Sequence, residues 1–248
     1  FQSVNPRIII TSIDNHKNFY LLKNFYNKAK YISVQNAMRT TKKDIFAELN
    51  ELKMNKKEYS CDYICTFNKD FGKLYQSFCS TNILCTGSIL SNNCKIIKRK
   101  KLKFQILYIS TYRTGADNET FLQNPLTTNK EYRKKEIKLI KLISTYAKMN
   151  KLTFHVLGAK NSYKQEEKEF FTSIVGNKNY NFIPRTINRN SYKIVDQSDL
   201  IFSTDSTLGY EAASRGNKVL FFSVRPNKKR LNSSKFAWPV KKKKKGNF

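Results

Sequence analysis

Short apolar runs alternate with longer stretches in which apolar residues recur every three or four positions, and the alternation continues along nearly the whole chain. The runs lie at Arg7 to Ile13, Tyr31 to Val34, Asp62 to Thr66, Asn82 to Thr86, Lys103 to Ser110, Thr153 to Leu157, Asn181 to Ile183, Leu200 to Phe202 and Lys218 to Val224. They are rich in Ile, Val, Leu and Phe and mostly lack polar alternation, so they read as parallel strands buried on both faces. Helices are expected between them, from Asn18 to Lys28, from Asp44 to Leu52, and over Lys69 to Phe78, Glu131 to Met149, Glu166 to Val175 and Ser191 to Asp196. In the longest of these, Ile137, Ile140, Leu142 and Ile143 stand among lysines and form the expected inward stripe. Gly115 to Asn129 has no periodicity and reads as a long loop, a length that points to function. The basic run Cys94 to Lys103 holds no acidic residue and reads as a connector. An α/β fold of two doubly wound parallel-sheet units is therefore expected, one over residues 1–100 and one over 101–248.

The stretch with most chemistry is Asp199 to Val224, a strand, a polar turn, a helix of about three turns and a second strand. Ser203, Thr204, Asp205, Ser206 and Thr207 are residue types that start helices, and Gly216 supplies the stop. A right-handed crossover places the start of this helix at the carboxyl edge of the sheet, where its open N–H groups and partial positive charge suit an anion. With phosphate at Ser206 and Thr207, Glu211 lies one turn further on the same face and is placed to accept hydrogen bonds from a ribose diol. The competing reading is a plain helix cap with Glu211 as a solvated acid. Asp205, repelled by a diphosphate, is expected to cap rather than to bind.

The segment STDSTLGYEAASRGNKVLFFS resembles the donor-nucleotide motif of surface-carbohydrate biosynthesis proteins, a group related to capsule and Kdo transferases with two Rossmann-like domains (the GT-B architecture). IDNHKNFY at Ile13 to Tyr20, VQNAMR at Val34 to Arg39, ISTYR at Ile109 to Arg113, KFAWP at Lys235 to Pro239 and GNF at Gly246 to Phe248 are similar to the same family. Ala237 departs from the pattern, which has glycine before the Trp-Pro pair. The resemblance implies further strands before Phe1 and elements after Phe248, so the first Rossmann-like domain is expected to be incomplete here.

It also implies a metal-independent glycosyltransferase that takes a nucleotide-sugar donor as substrate, needs no cofactor, and acts on a glycan or lipid-linked acceptor. Ser206, Thr207 and Glu211 would hold the donor, Arg113 would serve phosphate or an anionic sugar, and the general base would come from the first domain, with Asp14 ahead of His16. A nucleotide-sugar epimerase of the same fold is the alternative, and a basic binding module without catalysis is another. No GxGxxG, Walker or GxSxG motif is present, which disfavours dinucleotide oxidoreductases, P-loop enzymes and α/β-hydrolases. His155 sits inside an apolar run and reads as a core residue.

The net charge of +29 raises nucleic acid as a partner. Lysine far outnumbers arginine, the residue that reads bases bidentately, so solvated surface charge is the better reading and nucleic acid is disfavoured. The lysines of the connector and the run Lys241 to Lys245 are expected to draw the chain weakly to an anionic membrane surface. The odd cysteine count, five, and the absence of paired spacing point to free thiols and a reducing cytoplasm. No apolar run approaches the roughly 18 residues of a membrane span.

Overall fold

The parallel runs assemble into two sheets, of four and five strands, in two compact units covering Phe1–Asn93 and Cys94–Asn232. The computed structural model describes residues 3–39, 45, 58–97, 102–112, 129–186, 190–204, 206–222 and 224.

In the first unit β1 (Ile8–Thr11), β2 (Lys30–Val34), β3 (Ser60–Thr66) and β4 (Ser80–Cys85) lie side by side in chain order, all parallel. Sequential order with right-handed crossovers sends the connections to one face. There a 3-10 turn (Lys17–Leu21), α1 (Leu22–Phe25) and α2 (Lys69–Phe78) supply Phe19, Tyr20, Phe71 and Tyr75 to a core that includes Tyr31 and Ile64. Asn68 accepts the Phe71 N–H at 3.0 Å and so starts α2 where the sequence places it. The opposite face carries Ile10, Ile32 and Tyr63 in one cross-strand row and Val34, Cys65 and Leu84 in another. Ile10, expected in a buried strand, is 64% exposed there, and among the described residues β1 stands at one end of the sheet. A short helix, α3 (Ile89–Asn92), closes the unit behind its Ser88 cap. Of the helix expected from Asp44 to Leu52 only Ile45 is described, and it is buried in the same core.

In the second unit β5 (Phe104–Ile109), β6 (Phe154–Leu157), β7 (Asn181–Ile183), β8 (Ser198–Ser203) and β9 (Lys218–Phe221) run in the order β7-β6-β5-β8-β9, all parallel. The chain winds outward from β5 in one direction, then returns to its other side, and this reversal puts helices on both faces. α4 (Asn129–Met149) and α5 (Lys164–Val175) share a core with Ile106, Tyr108, Val156 and Phe202. α6 (Asn190–Asp196) and α7 (Thr207–Ser214) cover Leu107, Ile109, Ile201 and Val219 on the other side. Each such side chain, fully buried, contributes about 1.5–3 kcal/mol.

The inward stripe of α4 is Tyr132, Glu136, Ile140, Ile143 and Ala147, while Leu142, expected inside, is 62% exposed. The reason is the carboxylate: counting only apolar residues misses that Glu136 occupies a core position and so misplaces the stripe.

All five cysteines are free. Among the described residues no helix is long and apolar enough to cross a membrane. The expected loop lies outside the described residues apart from Asn129, as do Lys241 to Lys245, KFAWP with Ala237, GNF, and Lys98 to Lys101 of the connector.

Candidate functional site

In the second unit the reversal of strand order falls between β5 and β8, and the carboxyl ends of these strands open the crevice where doubly wound sheets bind ligands. β8 ends at Ser203, and α7 begins two residues after the undescribed Asp205. Ser206, the N-cap residue, is extended (φ −69°, ψ 133°), and its side chain makes no cap hydrogen bond. Asp205, the residue expected to cap, lies outside the described residues. Ser206 and Thr207 are half-buried, at the rim of the crevice. Glu211 is 8% exposed, so it is held against the protein rather than solvated.

α7 lies close on its strands because of Gly209. A Cβ at Gly209 would stand 2.5 Å from Ser203 Oγ and 3.0 Å from Phe221 Cε1. Ser203 Oγ, fully buried beneath this first turn, has no hydrogen-bond partner among the described residues. Tyr210 stacks on Phe221 with ring centroids 4.4 Å apart. The helix runs a little over two turns rather than three and stops at Gly216, whose φ of 90° suits glycine.

Below the crevice is a polar layer that the sequence did not announce. Glu136 is wholly buried on α4, and its Oε1 accepts from Tyr108 Oη at 2.8 Å and Thr111 Oγ1 at 3.3 Å. Arg133 donates to its Oε2 at 2.9 Å, with the guanidinium resting on the rings of Tyr112 and Phe170. Burial raises the carboxyl's pKa despite the arginine and the two hydroxyls. A clue was available: Tyr132, Glu136 and Ile140 repeat every fourth position, the spacing of one helical face.

Glu167 on α5 is a second buried carboxyl, and both its oxygens lie 3.0 Å from the Ala159 N–H. It fixes the turn after β6, next to Arg185, which donates to Ala159 O at 3.1 Å from the end of β7. Burial pushes its pKa up to about 6, against the hydrogen bonds from Ser110 and Ala159. An acid whose folded pKa exceeds its unfolded value of 4.5 holds its proton more tightly when folded. Its contribution to stability is thus full below about pH 4.5 and lost as pH rises through about 6, a change of about 2 kcal/mol. The unfolding free energy from urea titrations should fall between pH 4 and 7 by that amount more in the parent than in Glu167→Gln; parallel curves would contradict the assignment.

At the carboxyl edge of the first unit, Asp14 and His16 have separate fates. Asp14 is 0% exposed. Its carboxylate accepts from Arg39 Nε at 2.7 Å, from Arg39 Nη2, from the Asn36 N–H at 3.0 Å and from Tyr75 Oη. Its main-chain carbonyl accepts from Tyr20 Oη at 2.6 Å. Through these contacts Asp14 ties the turns after β1 and β2 together. His16 is exposed at the start of the 3-10 turn, with its main-chain N–H on Ile13 O at 3.3 Å. Arg113 lies outside the described residues, immediately after Tyr112. His155, half-buried on β6, packs edge-on against Phe104 of β5.

A family model described as "putative O-antigen biosynthesis protein" matches residues 32–248. Among solved structures, one titled "putative UDP-N-acetylglucosamine 2-epimerase" from Listeria monocytogenes is similar with a TM-score of 0.58 at 14% identity, over 94% of this chain and 60% of that one. UDP-GlcNAc 2-epimerase from Neisseria meningitidis, solved bound to UDP-GlcNAc, gives a TM-score of 0.52 at 14% identity, over 93% of this chain and 64% of that one. The chain thus spans less than two thirds of either structure, and the likeness is one of fold. No curated protein matches it in sequence.

Proposed function

This chain belongs to the O-antigen biosynthesis protein family, and from that premise we propose that it binds a nucleotide sugar at the β5/β8 crevice and transfers the sugar to a glycan or lipid-linked acceptor. The observation that carries the reading is the start of α7. It is a helix N-terminus at the switch point of a doubly wound sheet, where the Ser206 side chain makes no cap hydrogen bond, with half-buried Ser206 and Thr207 at its mouth and Glu211 one turn behind. Open N–H groups and the helix dipole would meet the diphosphate, and Glu211 would accept from the ribose hydroxyls. Neither contact needs a metal or an organic cofactor. Arg113 would add a bidentate cation where charge develops on the leaving phosphate. Asp14 and His16 are the general-base candidates this reading keeps.

Epimerisation of a nucleotide sugar is the second reading, because it uses the same donor contacts and is the activity for which both similar structures are named. UDP-GlcNAc is the first probe. Calorimetry should show Glu211→Ala binding it more weakly by about 1.5–3 kcal/mol, the scale of a lost hydrogen bond to a charged group, with an unchanged melting temperature. Equal affinity in the two proteins would remove Glu211 from the site. UDP released only when acceptor glycan is added supports transfer; conversion of the sugar without acceptor supports epimerisation.

A further inference from the structure

Three hydroxyls, two of them buried, close a ring at the switch point of the second sheet. Thr111 Oγ1, just past β5, lies 3.0 Å from Tyr132 Oη on α4 and 3.4 Å from Thr204 Oγ1, just past β8; Tyr132 Oη and Thr204 Oγ1 are 3.1 Å apart. Tyr132 is 4% exposed and Thr204 2%. The ring therefore bridges the two strand ends between which the crevice opens, and Thr204 is the residue from which the chain turns toward Ser206 and Thr207.

Thr111 Oγ1 also donates to Glu136 Oε1 at 3.3 Å, which leaves the protons of Tyr132 and Thr204 for three ring contacts, so two of the three are hydrogen bonds at any moment. The ring ties the end of β8 to α4 through Tyr132 and Thr111, with Glu136 and its Arg133 partner as the fixed end.

We infer that Thr111, Tyr132 and Glu136 are positioning residues for the nucleotide-sugar site: they act through Thr204 to hold the turn that carries Ser206 and Thr207. The inference rests on the nucleotide-sugar reading for its ligand but not for its geometry. A matched control exists within the same unit, because Tyr180 is also buried, at 7% exposure, with its hydroxyl 2.9 Å from that of Thr172, away from the crevice.

The test compares Tyr132→Phe with Tyr180→Phe by three readouts: melting temperature, UDP-GlcNAc affinity, and hydrogen exchange at the amides of Gly209 and Phe222, which are bonded to Ser206 O and Ser203 O. Both variants should melt lower by similar amounts. Only Tyr132→Phe should weaken UDP-GlcNAc binding, by about tenfold, and speed exchange at the two amides by a similar factor. Unchanged exchange in Tyr132→Phe, or equal changes in Tyr180→Phe, would overturn the inference. If the parent chain binds no UDP-GlcNAc, that reading of the ligand falls, and the exchange comparison still decides the positioning role. Should Tyr132→Phe fail to fold, Thr111→Val, which removes one hydroxyl at constant volume, carries the same comparison.

Discussion

Asp14→Ala is expected to destabilise the first unit by about 3–5 kcal/mol, the usual loss when one member of a buried ion pair is removed. The loss is large because several groups depend on one carboxylate. Without it the Arg39 guanidinium, 6% exposed, loses its counter-charge while keeping Asn36 Oδ1 at 2.7 Å, and the Asn36 N–H and Tyr75 hydroxyl lose this acceptor. Burial already raises the pKa of Tyr75, and the adjacent Asp14 charge raises it further, so the phenol cannot ionise to compensate. Asp14→Asn separates structure from chemistry, because the amide keeps the shape and loses the charge. Denaturation followed by circular dichroism should show the Asn variant also melting early. An Asn variant with the parent's stability and no turnover would instead return Asp14 to the reacting groups.

The second large effect is expected at Arg215, which caps α7 at its far end. Its Nε and Nη2 donate to the two oxygens of Asp196 at 2.8 and 2.6 Å. Its remaining donors reach Cys94 O at 3.0 Å and Lys95 O at 3.2 Å, and the Tyr192 ring lies 5.2 Å away. Burial alone would raise the Asp196 pKa, but Arg215 and the Ile97 N–H at 2.9 Å outweigh it and hold the carboxylate ionised. Arg215→Ala should therefore cost about 3–5 kcal/mol of stability in the second unit. Arg215→Lys should recover less than half of that, because a lysine keeps the charge but cannot form the fork or span to both carbonyls. Urea titrations of the two variants against the parent measure this. A lysine variant as stable as the parent would show that charge alone matters.

What the sequence made legible is what local rules decide. The range of α2 and the stop at Gly216 follow from residue pattern and cap chemistry, and each is written within a few neighbouring residues. The residues that the chain brings together from afar were not legible. Asp14 meets Arg39 at a separation of 25 residues and Tyr75 at 61, so a polar residue at a strand end read equally well as a catalytic group. Glu136 was hidden differently, since a carboxylate on a lysine-rich helix looks solvated until Tyr108, Thr111 and Arg133 are seen around it. Gly209 left no local sign, because its meaning lies in Ser203 and Phe221 beneath it.

Strand order also dictates what a growing chain can complete as it leaves the ribosome. In the first unit each new strand pairs with the one made just before it, so β2, β3 and β4 can dock in turn. The second unit denies its central strand that luxury. β5 pairs with β6 on one side, but its other edge waits for β8, where Phe104 meets Ser198 and Ile109 meets Ser203. Until those residues emerge, an apolar strand meant for the middle of a sheet has a bare edge, the arrangement that most readily recruits a second chain. The stretch from β6 to the end of α6 is thus made while β5 stands unprotected on that side, and the polar groups that close the crevice can meet only after the last of it has passed.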